Sequence, residues 1–214
     1  MRWLGLVLGA AFALPVAAEE LVIAAKEKGG APEEMTVATR AFGRIAAFPL
    51  PPKFVAVTER ESYGTYLMEF VPEGETVDDW SQMITLTAAE GVMPDLGNPL
   101  EMGFRIGEGF QAACPETFWG SDEGVQPVPG AEAAHLLAFS CGDGGNGQSE
   151  TVLVLLAASG DDLYTLQWAE RGPTSDAPLT PEPSLWQVRG VTVLGLRLCP
   201  AREREEPPYP SCVE

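Results

Sequence analysis

The sequence predicts an α+β protein: a single layered domain built on one antiparallel sheet with flanking helices on one or both of its faces. Three observations lead there. Residues 53–88 hold three strand-like segments joined by short links, and residues 134–170 hold three more. Each trio is followed by a segment of helical spacing, at 98–114 and at 184–198. Runs of strands followed by helices give an antiparallel sheet with helices on its faces, whereas a parallel sheet would alternate strand and helix.

The elements follow in order. Arg2 opens the chain, residues 3–14 are an apolar run, Pro15 ends it, and Val16-Ala17-Ala18 supplies the small residues a signal peptidase needs. Residues 1–18 read as a cleavable secretory signal, too short to anchor in a bilayer, and residues 19–214 as the globular domain. No Cys lies near the junction for a lipid anchor, and no second run of apolar residues reaches membrane-spanning length. Residues 21–25 suit a short strand, 27–34 a charged loop, and Pro49, Pro51 and Pro52 a rigid entry to the first trio of strands. Strands are expected at 53–59, 64–71 and 81–88. In the last, Ile84 and Leu86 face one way and Thr85 and Thr87 the other, the period of a half-buried strand. Pro72-Glu73-Gly74-Glu75 is a turn in which Gly74 is free to take positive φ.

Asn98-Pro99 is an N-cap with a first-turn proline. Met102, Ile106, Phe110 and Ala113 follow at helical spacing until Pro115 stops the helix. Residues 116–131, rich in Gly, Pro and acids, are expected to be a loop. Strands follow at 134–141, at 151–158 and at 163–170. The middle one is nearly all apolar and so should be central and covered on both faces. Residues 173–183 form a proline-rich loop. Residues 184–198 admit a helix capped by Ser184 or a strand over 191–198; the helix, packed on the sheet, is the preferred reading.

Composition narrows the function classes. A hydrophobic share of 45% supports a real core. The net charge is −18, and one unit more negative once Arg2 is removed. Such a field repels phosphate backbones and anionic membrane surfaces, so nucleic acid is a poor partner and solubility the plain consequence. Four cysteines, an even number, suit an oxidising compartment such as the periplasm. They allow three pairings. We favour Cys114 with Cys141 and Cys199 with Cys212, the second closing a proline-rich tail onto the last element. Neither a C-x-x-C nor a Cys-His zinc spacing occurs.

Two stretches, Pro72-x-Gly74-Glu75-x4-Trp80-x2-Met83-x-Thr85 and Trp186 ahead of Leu198-Cys199-Pro200, resemble a group of small exported proteobacterial proteins. The order of elements also resembles the PsbP-type α/β/α sandwich shared with DcrB-like envelope proteins. The resemblance implies an accessory or binding role and brings no catalytic residues with it.

Candidate sites are few. Gly107-x-Gly109-x-x-Ala112 spells a dinucleotide fingerprint, but it lies within a helix rather than after a strand, so close helix–sheet packing explains its glycines better. The 143–150 loop has oxygen ligands without the alternation of an EF-hand, and reads as a plain loop rather than a calcium site. His135 sits in an apolar strand and reads as structural. Asp78-Asp79-Trp80 is the candidate partner surface, an acid pair beside an aromatic; its plainer reading is an anchor in the core. No catalytic residue, cofactor or metal is assigned. The expected function is a non-enzymatic periplasmic binding or accessory protein whose partner is an unknown envelope protein or ligand. Its rival is a hydrolase acting on envelope material through acidic residues, which requires a cleft with two facing carboxylates.

Overall fold

The computed structural model describes residues 22–25, 35–145 and 147–213. The expected signal at 1–18 and loop at 27–34 lie outside the described residues. In chain order the elements are β1 (Val22–Ala25), β2 (Met35–Ala41), β3 (Arg44–Leu50), β4 (Phe54–Ser62), β5 (Thr65–Pro72), β6 (Gln82–Ala89), α1 (Met93–Leu96) and α2 (Pro99–Ala113). Then come β7 (Phe118–Val125), β8 (Ala133–Cys141), β9 (Gln148–Ser159), β10 (Asp162–Pro173), α3 (Pro183–Leu194), β11 (Arg197–Pro200) and α4 (Pro210–Val213).

Both expected trios are present, and they merge. The meander β4-β5-β6 joins the second trio through β10, giving a seven-stranded sheet of order β4-β5-β6-β10-β9-β8-β7. Every pairing in it is antiparallel. The apolar β9 lies between β10 and β8, and Val154, Leu155, Leu156 and Ala157 are fully buried, so both its faces are covered.

Three sequence expectations are corrected. Residues 35–50, which show no strand pattern in the sequence, form the hairpin β2-β3, the centre of a second sheet of order β1-β2-β3-β11. No alternation betrays β3 because it too is buried on both faces, with Ile45, Ala46, Ala47 and Phe48 wholly inaccessible. Residues 116–131 are not all loop, since β7 occupies 118–125 as an edge strand with a register shift between Asp122 and Gly124. An edge strand tolerates the glycines and acids that read as loop. Residues 184–198 divide between helix and strand, α3 ending at Leu194 and β11 pairing with β3. The α3 N-cap is Glu182, whose carboxylate accepts from the Ser184 and Leu185 amides, and not Ser184.

The α+β class stands, with a second sheet present in the layering. α2 covers one face of the large sheet, where Leu137, Phe139, Val154 and Leu156 meet Leu100, Ile106 and Phe110. The opposite face is covered mainly by the small sheet, with Phe48 against Phe70 edge-to-face at 5.9 Å, and by α3 beside it. Burying each such side chain is worth about 1.5–3 kcal/mol. Two tyrosines stitch the sheets together. Tyr66 bonds Thr39 Oγ1 at 2.7 Å and donates to Glu59 at 2.8 Å, and Tyr164 donates to the Ala41 carbonyl at 3.0 Å. Burial pushes both phenols far above their ordinary pKa.

Helix α2 is capped as its sequence predicts, with Asn98 Oδ1 accepting from the Leu100 amide at 2.9 Å. Its glycines serve close packing at two positions. A Cβ at Gly103 would stand 2.3 Å from Leu137 Cδ1, and one at Gly107 2.8 Å from Phe139 Cε1. Gly109 faces open space and has no such role. The cysteines meet in two pairs at disulfide distance, Cys114 with Cys141 and Cys199 with Cys212. The first ties the end of α2 to the end of β8. The second holds the tail, with Tyr209 and Cys212, over Ala38, Ile45 and Ala47 on the outer face of the small sheet.

Candidate functional site

Asp78 and Asp79 are exposed, as a partner surface requires. Trp80 is not: it is only 7% exposed, and the Arg171 guanidinium lies 3.8 Å above its ring. Trp80 packs into the core on the α2 side of the large sheet, the plainer of its two readings. A small cavity of about 320 Å³ lies alongside, lined by Glu75, Asp79, Trp80 and Arg171 among others. It brings two carboxylates to one hollow, but Glu75 is committed: its oxygens accept from the Ser81 amide and hydroxyl, both at 2.7 Å.

His135 and Asp122 meet across β8 and β7, Nε2 to Oδ1 at 2.5 Å. This bond, helped by the Gly124 amide, holds the Asp122 carboxyl below the usual carboxylate range. The pair ties the edge strand to its neighbour. In the 143–150 loop, Asp143 accepts from the Gly145 amide and Glu150 from Arg171. Among the described residues no group of three or more His, Cys, Asp or Glu side chains is arranged to hold a metal ion.

A larger concavity than the one beside Trp80 was not legible in the sequence. It is an apolar groove of about 600 Å³ between α3 and the β7–β9 end of the large sheet. Leu136 and Ala138 of β8 and Leu153 of β9 form the floor, with Trp119 and Glu123 of β7 on one side. Trp186, Gly190, Val191 and Leu194 of α3 form the other side, and the 180–183 segment lies at one end. The floor residues are 4–7% exposed, so the groove is a narrow slot and not an open face. Two small residues, Ala138 below and Gly190 on the helix, leave the room.

Each wall is fixed independently. Arg189 anchors α3 by donating to Glu170 at 2.5 Å and lying 5.3 Å from the Trp168 ring centre. Ser140 of β8 holds the proline-rich loop through the Leu179 carbonyl at 2.5 Å. Val191 and Leu194 of the α3 wall are themselves 40–60% exposed, and Val188 and then Leu185 continue the same i, i+3 row, so that a diagonal aliphatic band leads out of the groove. The helix carries no acid between residues 183 and 194. The charged side chain lining the groove is Glu123 on β7; Glu182, between the lining Pro181 and Pro183, is engaged as the α3 N-cap, its carboxyl held below its ordinary pKa by the Ser184 hydroxyl and the Leu185 amide.

No protein-family model matches the chain, and no curated protein matches it in sequence. Among solved structures it is similar to the Saccharomyces cerevisiae Ran-binding protein Mog1p, at 14% identity and a TM-score of 0.47, covering 77% of this chain and 95% of that one. It is similar to a point mutant of Mog1 at 17% identity and a TM-score of 0.37, covering 70% and 80%. It is similar to the cyanobacterial PsbP (CyanoP) of Synechocystis at 11% identity and a TM-score of 0.44, covering 80% and 96%. These likenesses concern the fold and carry no residue or role across.

Proposed function

We infer that the protein is a non-enzymatic binding protein, exported to the periplasm on its first eighteen residues, which holds an apolar group of its ligand in the α3 groove. The groove carries this reading. A concavity of about 600 Å³ lies within the size range of ligand sites, and its lining is predominantly apolar, with Glu123 its charged side chain and Thr180 and Gln187 its polar ones. Arg189 anchors the α3 wall and Ser140 the loop at the groove's end, so a ligand enters a groove already formed and loses less entropy in ordering it. Export rests on the charged, apolar and small-residue order of residues 1–18, and two cysteine pairs at bonding distance suit an oxidising compartment. Asp78 and Asp79 remain a second surface open to a partner.

The test uses an uncharged naphthylamine dye that brightens in apolar sites. Trp119 and Trp186 line the groove, so energy transfer from tryptophan reports where the dye sits. Saturable binding is expected in the wild type. The Gly190→Leu variant fills the groove from the helix side. Its Cβ meets nothing nearer than Leu194 Cδ1 at 3.9 Å, so it should fold and bind the dye about tenfold more weakly, a loss of ~1.4 kcal/mol. Equal binding by both proteins would exclude the groove as the site. Export is tested by sequencing the N-terminus of protein recovered from the periplasm, where Glu19 is expected first.

A further inference from the structure

Building on the groove reading, we propose that its occupant is a cationic amphipathic segment of a partner protein, with aliphatic side chains in the slot and Lys or Arg beside them. The argument is one of complementarity. The slot and the aliphatic band of Leu185, Val188, Val191 and Leu194 form one continuous apolar track along α3, longer than the slot alone. A segment that runs along a helix and buries side chains at intervals fits such a track.

The charged side chain lining the groove is acidic, Glu123, while Arg189, the cation of α3, is already committed to Glu170 and stacked near Trp168. No acid of α3 interrupts the track, so the negative charge lies beside the apolar surface and not within it. Around this site the whole chain carries 31 acids against 13 Lys and Arg. A field of that sign steers a cationic segment inward and opposes a fatty-acid carboxylate, an anionic lipid or a second copy of this acidic chain.

The experiment compares two synthetic peptides with the same leucine face, one with lysines and one with glutamates on the polar face. Each is titrated into the chain with its disulfides intact and followed by calorimetry. The lysine peptide is expected to bind, about tenfold more weakly at high salt than at low salt, and the glutamate peptide not to bind. Gly190→Leu keeps every charge, so its loss of lysine-peptide binding separates the groove from the general field. Glu123→Lys is expected to weaken the lysine peptide several-fold, in keeping with an opposite charge lost at the rim.

Four results overturn the proposal. The lysine peptide binding Gly190→Leu as well as wild type means that the field acts without the groove. Equal binding of both peptides means that charge selects nothing. Dye binding without binding of either peptide leaves the groove as a small-molecule site, with the binding function intact. A wild-type dimer in sedimentation that Val188→Glu dissolves assigns the track to a second copy.

Discussion

Asp122 and His135 are the residues whose chemistry differs most from what their neighbourhoods suggested. His135 reads as a structural histidine in an apolar strand, and its side chain is only 12% exposed, yet its ring reaches the exposed Asp122 on the edge strand. The consequence is a pH dependence of known sign. The folded pKa of Asp122 lies below its unfolded value, so its contribution to stability is complete above the ordinary carboxylate range. That contribution fades as the pH falls below that range and is gone once the pH passes its lowered folded value. Thermal melts of wild type and Asp122→Asn between neutral and strongly acid pH should therefore converge toward the acid end. Curves that stay parallel would show that the pair contributes nothing. Glu182 and Glu205 are depressed in the same direction by Ser184 and Ser211, so acid weakens the α3 cap and the tail as well.

Helix α2 shows at the level of an element how one residue type plays opposite parts. Replacing Gly by Ala within a helix gains up to about 1 kcal/mol from propensity. At Gly109 nothing lies within contact of the new methyl, so Gly109→Ala should stabilise by up to that amount. At Gly103 the methyl would overlap Leu137, a side chain only 2% exposed, and overpacking of this kind costs about 1–3 kcal/mol. Gly103→Ala should therefore destabilise, and urea titrations of the two variants should move in opposite directions. The element's existence was legible from Asn98-Pro99 and the spacing of its apolar residues, because caps and periodicity are local. Which glycine touches the sheet was not, since that depends on the side chains of β8. Strands β3 and β7 were hidden for related reasons. Two-sided burial erased the alternation of β3, and an edge position let β7 carry loop-like residues.

At the scale of the molecule, the two cysteine pairs close loops of different size, with sequence separations of 27 for Cys114 and Cys141 and 13 for Cys199 and Cys212. On the chain-entropy account each bridge is worth about 3 kcal/mol, the longer loop slightly more. Paired Cys→Ser variants should lower the urea midpoint in both cases. Only the Cys199–Cys212 variant should expose Tyr209, which hydrogen exchange at residues 200–213 would detect as early opening; uniform loss of protection would argue against a separately held tail. The sequence by itself determined the α+β class, the two antiparallel trios, the capped helix and the acidity, because alternation, capping and charge are written in neighbouring residues. The tertiary structure alone decided that the 35–50 segment founds a second sheet, that Trp80 lies beneath Arg171, and that a slot opens beside α3. Each depends on which surfaces meet across long stretches of chain: the groove lies between α3 and strands β7 to β9, and no local pattern encodes which helix faces which strands.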